Sequence, residues 1–493
     1  MLITSIDLGT TNVKVALIKF YEDNRVEVIR SLSQRVNTVQ PEVNSYEHDP
    51  RDIEKQIKTL VKGCVSGVHP DAIVLTSYLF GLLLSDERMN YLTNIITWMD
   101  ERPYEVLNEV LPYSKELYFR TGCPPLHIYG LPKIIWFKRR LGSEFRRVKY
   151  LMDSKAFLMN FLTGEYVTDL STASGTYQLL NLRTLKWDDL GLTIAGVDED
   201  SLPRLHEGYY VGVLRRGLKE ELGFNDDIPV VLGLFDGASM IYGATGGLSG
   251  LGVVNLGSSA MIRAVTSEAI VDQSPLMMFQ TYYFIDRTWL GGGAINNAGV
   301  VVEYIIKLLY DIDPQDPIKY SKVLESLNNT VKRSKTLISI PLLYPERLPF
   351  IKPTRRLSIL GLDSSSRRED VAISVIEGVL MLLALIYSSM EDVGVSVDEV
   401  RVGGKLSEYY FIRKLLANIL GRKVMYTTVG DLSHIGNIFL ALRALKHVNQ
   451  KGIYELCESI TSNAERVYPI ESEVTYYRSL LNEFKDLINR LYT

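Results

Sequence analysis

Two short segments carry the residue types that phosphate chemistry uses. Near the start stands Asp7-Leu8-Gly9-Thr10-Thr11-Asn12, and near the middle Asn255-Leu256-Gly257-Ser258-Ser259-Ala260. Each runs from an apolar strand into Leu-Gly, then two hydroxyl or small polar residues, then a second apolar strand. Glycine lets backbone N–H groups approach a phosphate closely, and the hydroxyls add donors to its oxygens. Gly291-Gly292-Gly293 and Gly403-Gly404-Lys405 read as two more turns of this kind. A single Gly turn is usually only a turn. Several of them around a repeated hairpin point to a polyphosphate gripped between two halves.

The two hairpins differ in one acid. The first has Asp7 before its Leu-Gly, where the second has Asn255. A Mg²⁺ ion bridging phosphates takes one or two carboxylates plus waters, so one acid is enough. Asp7 is therefore read as the metal ligand; the plainer reading is an Asp that satisfies turn backbone groups. Lys14 and Arg263 follow the hairpins at matching positions, as phosphate contacts or as solvated side chains.

Asp236 follows the apolar run Pro229 to Leu234 and precedes a helical pattern beginning near Ala238. Ligands in α/β sheets lie off the carboxyl ends of strands, which suits a catalytic base. An ordinary helix N-cap is the other reading. Trp98, Asp100 and Arg102 bring together an aromatic face, a carboxylate and a guanidinium. These could hold polyol hydroxyls or a substrate carboxylate; a structural Trp beside a surface ion pair is the alternative. His127 reads as near the sugar or as a structural histidine, and Asn296 and Asn297 as ligand contacts or turn residues.

The elements that position these residues alternate strand and helix, which defines an α/β class. The two hairpins stand 248 residues apart in a chain of 493, so the halves open alike and suggest a duplication. Their division is placed at 246/247. The small-residue stretch Gly243–Gly250 reads as a hinge, able to close the halves and exclude water.

Composition narrows the classes. Hydrophobic residues make up 46%, enough for more than one core. With 54 basic and 58 acidic residues the formal charge is −4, giving no electrostatic reason to expect nucleic acid as a partner. Three cysteines, with no CxxC or Cys/His cluster, make neither a disulfide framework nor a zinc site. No signal peptide is read at the N-terminus, and the apolar run Val379–Tyr387 is short of a membrane span. The expectation is a cytoplasmic protein with no membrane partner, with a homodimer left open. The sequence has no GxxxxGK[ST] loop, HExxH or GxSxG element.

Taken in order, IDLGTTNVKVAL at 6–17, GLFDGASMIYG at 233–243, NLGSSAMIR at 255–263 and VGGKLSEYYFIRKLLANILGRKV at 402–424 resemble the FGGY family of carbohydrate kinases, within the actin/hexokinase/Hsp70-type ATPase superfamily. That resemblance implies two ribonuclease-H-like domains with a cleft between them: 1–246 for sugar and the catalytic base Asp236, 247–493 for ATP. It implies ATP and Mg²⁺ as cofactors and a small sugar or sugar acid as partner. Gly9, Thr10, Thr11, Asn12, Gly257, Ser258 and Ser259 would bracket the phosphates, with Gly403, Gly404, Lys405, Ser407 and Asn418 on the adenosine side. Phe80, Trp98, Asp100, Arg102, His127 and Asn296 would face the sugar.

Within the family the chain is most similar to the gluconate kinase and xylulokinase branch, gluconate kinase first, with xylulokinase or another ketose or polyol kinase as the alternative. This rests on the stretches around Trp98, Thr121–His127, Gly292–Gly299 and Glu346–Pro349. Glycerol kinase is disfavoured, because its Arg-Glu pair near Thr76 is absent and Gly237, not Gln, follows Asp236. The chain departs from its relatives at three points. Leu79-Phe80 replaces Met-His, Ala417-Asn418 replaces Ala-Asp, and Asn437 follows Gly436 in place of a small residue. A nucleotide-dependent regulatory protein that has lost transfer is the reading from another class.

Overall fold

The computed structural model describes residues 1–328, 337–346, 356–426 and 431–492. The first half builds a six-stranded sheet from β1 (Leu2–Leu8), β2 (Asn12–Phe20), β3 (Val26–Arg35), β4 (Ala72–Ser77), β5 (Val211–Val213) and β6 (Pro229–Val231). Its order is β5-β6-β4-β1-β2-β3. The second half builds a seven-stranded sheet from β7 (Leu251–Leu256), β8 (Ala260–Thr266), β9 (Gln280–Tyr283), β10 (Trp289–Ile295), β11 (Glu399–Gly403), β12 (Lys423–Tyr426) and β13 (Glu465–Val467). Its order is β9-β10-β8-β7-β11-β12-β13.

The two sheets repeat one topology. β1/β2/β3 and β7/β8/β10 are antiparallel meanders. β4 and then β6 add parallel to β1, as β11 and then β12 add parallel to β7. Parallel pairing needs crossovers, which is why helices separate these strands in the sequence. The duplication expected from the hairpins is thus present in strand order and direction.

Six of the helices are α1 (Gly130–Leu141), α2 (Ser154–Thr163), α3 (Leu170–Tyr177), α4 (Asp236–Thr245), α5 (Arg368–Glu391) and α6 (Leu432–Ala444). α5 is 24 residues long and apolar enough to cross a membrane, but 83% of its most apolar window is buried inside the protein. The run Val379–Tyr387 is therefore the middle of a core helix, and the apolar pattern of Glu369–Met390 already reads as that helix to within one residue at each end. Glu377 within it accepts the Tyr477 O–H at 2.6 Å.

Three sequence readings change. Asp236 is the first residue of α4, and Phe235 holds the N-cap position. Gly243 lies inside α4, not in a hinge loop; a Cβ there would come within 2.0 Å of the Leu432 carbonyl oxygen. Gly291–Gly293 is the interior of β10, not a phosphate turn. A Cβ on Gly292 would fall 2.1 Å from the Ile262 carbonyl oxygen of β8, so glycine is required by strand crowding.

The halves meet through a shared apolar core that includes Val74, Ala238 and Ile241 from the first and Val253, Ile435 and Phe439 from the second. A polar node lies within it. The buried Asn437 accepts hydrogen bonds from Thr76 (3.1 Å) and Ser239 (2.6 Å) and donates to Ser5 (2.7 Å). The residue that departs from the family pattern thus ties α6 to β1, β4 and α4.

Candidate active site

β1 and β4 run parallel, so Asp7 at the end of β1 stands beside Thr76. The hairpin β1–β2 closes with the Gly9 N–H donating to the Asn12 carbonyl at 3.0 Å. Thr10 is half-buried and Thr11 exposed at its tip. The matching hairpin β7–β8 presents Ser258 and Ser259, both exposed. Its Gly257 and Ser258 carbonyls accept the N–H groups of Gly299 and Val300 at 3.0 and 3.1 Å.

Asp236 stands at the first turn of α4, where the strand-to-helix step delivers it. Its Oδ1 accepts the N–H of Gly237 at 2.7 Å. Solvent reaches the side chain, yet surrounding protein raises its pKa, chiefly by desolvation. The Gly237 N–H, Lys155 and Arg263 pull in the other direction. The site that part of the sequence reading depended on is therefore open to water and not sealed in a core.

Asp7 belongs to the same electrostatic cluster. Burial first, then the neighbouring Asp236 and Asp431, raise its pKa to about 7, against Lys14 and Lys155. Asp431 caps α6 from the second half by accepting the Ser433 N–H at 2.9 Å. Asp7 Oδ1 is buried with no hydrogen-bond partner. A buried, unpartnered carboxylate oxygen is costly without a counter-charge, and this suits a divalent cation. Among the described residues no cluster of three metal-ligating side chains exists. The residues present thus fit Mg²⁺ held through one carboxylate and waters.

On the other side of the site, Gly404 has φ +89, and a Cβ there would meet the Leu256 carbonyl carbon and oxygen at 2.6 Å. A Cβ on Gly257 would meet the Ser259 carbonyl oxygen at 3.4 Å, and one on Gly403 the Asn255 Oδ1 at 4.0 Å, so both have ordinary room for a side chain. Lys405 is exposed. Ser407 is buried and closes the turn by donating to the Gly404 carbonyl at 2.6 Å. Asn418 is buried as well, and its Oδ1 accepts the Ile470 N–H at 2.9 Å. Ser407 and Asn418 therefore support the turn and the C-terminal helix.

The expected sugar-side residues divide into two groups. Trp98 Nε1 donates to Thr10 Oγ1 at 3.3 Å, joining that wall to the first phosphate hairpin. Phe80 packs edge-on against Tyr129 and holds φ +69, a strained conformation for a bulky residue. Thr176 and Lys133 secure its backbone N–H and carbonyl. His127 is half-buried, with its pKa lowered to about 4 by burial and then by Lys133, so it is neutral near pH 7.

Asp100 and Arg102, by contrast, are engaged with each other. Asp100 is fully buried and accepts from Arg102 Nε at 2.9 Å and Nη2 at 2.6 Å. Arg102 also reaches Glu42 at 2.8 Å and Glu47 at 2.6 Å and stacks over Trp136. Asn296 and Asn297 organise a loop: their N–H groups donate to Glu346 at 2.6 and 3.2 Å. Arg347–Pro349 lie outside the described residues. A cavity of about 660 Å³ runs between the halves, lined by Glu101, Arg102, Tyr104, Glu105, His127 and Glu346 among others.

Arg263, expected as a solvated residue or phosphate contact, is buried on β8 beside β10. It bonds Gln280 at 3.2 Å and lies 4.8 Å from the Tyr282 ring centroid. Lys14 is exposed, as one of the two readings held. Lys133, Lys155 and Asp431 were not singled out from sequence. An isolated Lys in an apolar helix carries no local signal of what it bonds.

With this geometry in place, the comparisons decide the family. Residues 2–243 match the FGGY family of carbohydrate kinases, N-terminal domain, and residues 252–445 match its C-terminal domain. The chain is an FGGY-family carbohydrate kinase. This kinase is 26% identical to a gluconokinase of Bacillus subtilis (strain 168), over 98% of its own length and 94% of the relative's. It is 25% identical to a xylulose kinase of Escherichia coli (strain K12), over 87% and 86%. Its fold matches a ligand-bound xylulose kinase from Lactobacillus acidophilus at TM-score 0.89 and 25% identity, covering 99% and 98% of the two chains. A gluconate kinase from the same organism matches at 0.88 and 25%, covering 100% and 98%. The FGGY kinase thus has two-domain α/β architecture of the actin/hexokinase type.

Proposed function

We propose that this kinase transfers the terminal phosphoryl group of ATP to a hydroxyl of gluconate, with Asp236 as the base and the halves dividing at 246/247. The observation that supports it is a solvent-exposed Asp236 that shares an electrostatic cluster with Asp7 of the first hairpin and, through Asp7, with Asp431 of the second half. Phosphoryl transfer through a loose transition state depends more on positioning than on early deprotonation. Asp236 orients the hydroxyl and accepts its proton; its raised pKa moves it toward the range where a base is effective. Asp7 would hold Mg²⁺, which supplies charge neutralisation at the phosphates. Thr10, Thr11, Asn12, Ser258 and Ser259 would meet the phosphates from the two hairpins, and Gly403, Gly404 and Lys405 would lie against the nucleoside.

A second substrate reading has its own support. The Arg102 guanidinium is taken up by Asp100, Glu47 and Glu42, and the cavity wall adds Glu101, Glu105 and Glu346. Asp236 does not line this cavity, so the cavity bears on the substrate only through the end of the sugar remote from the base; there, no cation among the described lining residues is left for a carboxylate, which supports a neutral ketose such as xylulose. ADP release measured over gluconate, D-xylulose and related ketoses and polyols tests both readings. The reading of a transfer-competent enzyme fails if no sugar stimulates ADP release.

A further inference from the structure

The parallel ladder between β4 and β6 breaks just before the cleft. Val231 pairs with Val74, and the next contact is an isolated bridge between Ser77 and Phe235. In the gap the chain turns at Gly233, with φ +77 and no room for a Cβ, which would meet the Leu75 carbonyl oxygen at 1.6 Å. The N–H groups of Leu232 and Gly233 are used by Tyr210 and Gly208 at 2.9 and 2.8 Å. The ladder between β4 and β6 ends at Val231 and Val74, so the carbonyls of Leu75, Leu232 and Leu234 have no pairing across the gap, and buried carbonyls must be satisfied.

One side chain does this. Lys155, fully buried on α2, donates to Leu75 at 3.2 Å, Leu232 at 3.0 Å and Leu234 at 2.8 Å. Its counter-charge, Asp169, lies at 3.7 Å and is also fully buried. Two residues beyond Leu234 stands Asp236. We infer that Lys155 is a positioning residue for Asp236: its ammonium group replaces the missing ladder and fixes the height at which the chain delivers the carboxylate to the cleft. Its charge also reaches the carboxylate, as one of the groups that offset desolvation there.

This inference rests on Asp236 being the base, and a double-mutant cycle separates the two. Four full-length proteins are compared: parent, Lys155→Met, Asp236→Asn and the double variant, by single-turnover sugar phosphorylation and by nucleotide binding. A misplacement near 1 Å costs on the order of a hundredfold. Lys155→Met is therefore expected to lose about a hundredfold in kcat, with KM for ATP and sugar within about threefold of the parent. In the Asp236→Asn background the same substitution is expected to cost nothing further, because there is no base left to misplace. Lys155→Gln, which keeps two donors without charge, is expected to recover part of the rate and serves in the same cycle if the Met variant does not fold. Near-parental turnover by the Lys155 variant, or an undiminished loss in the Asp236→Asn background, overturns the positioning role. Full activity of Asp236→Asn alone overturns the base assignment instead.

Discussion

Gly243 of α4 and Gly436 of α6 cross in near backbone contact. A Cβ on Gly436 would lie 1.9 Å from the Ser239 carbonyl oxygen, and one on Gly243 2.0 Å from that of Leu432. Both obstacles are backbone atoms of the facing helix, so no side chain can rotate away. Gly436→Ala is expected to destabilise the protein by about 2–4 kcal/mol, as an overpacked core does. Thermal unfolding checks this; an unchanged Tm would mean that the helices do not cross here.

Asp236→Asn keeps the shape and removes the proton acceptor. The expected outcome is a loss of about a thousandfold or more in kcat with nucleotide affinity held within about threefold. Coupled ADP release and calorimetric titration with ATP read the two quantities separately. Near-normal turnover would remove Asp236 from the chemistry.

Arg102 sits at the centre of three carboxylates, one of them the fully buried Asp100. Arg102→Ala leaves that carboxylate without its counter-charge, an effect of about 3 kcal/mol or more on stability. Urea denaturation should show the midpoint falling. If the midpoint stays and only the KM for a sugar acid rises, Arg102 reads the substrate and is not a structural ion pair.

Glu207 links the halves by accepting the Tyr283 O–H, beside Asp286 and Arg443. Burial first raises its pKa from 4.5 to about 7, against the Tyr283 hydrogen bond. A carboxyl raised in the folded state binds its proton more tightly there than in the unfolded chain. Its contribution is therefore complete below about pH 4.5 and is lost as pH rises toward 7, up to about 3 kcal/mol. Glu207→Gln is expected to flatten the fall in stability between pH 5 and 8. An identical pH profile for the variant would show that Glu207 titrates normally.

The hairpins and the strand-to-helix step at Asp236 were legible because each is local: glycine, hydroxyls and apolar runs sit within a dozen residues. The roles of Lys155, Asn437 and Arg102 were not, because they are set by partners distant in the chain. Lys155 bonds carbonyls 77–80 residues away, and Asn437 bonds Ser5, 432 residues away. Glycine misled in both directions. Gly291–Gly293 and Gly243 looked like flexible turns, but they mark places where a strand or a helix presses on another backbone. Arg102 looked available to a ligand because nothing local shows that Glu42 and Glu47 reach it.

Asn437 makes exchange of halves between relatives a demanding operation. A chimera that took its second half from a kinase with a small residue at this position would leave the hydroxyls of Ser5 and Thr76 stranded in an apolar interior, while Ser239 would keep the Ser433 carbonyl at 3.3 Å. Such a recombinant would need compensating changes at those two positions, both encoded in the other half of the gene. The two halves have in this sense become obligate companions, and drift at position 437 is constrained by residues more than 190 positions upstream.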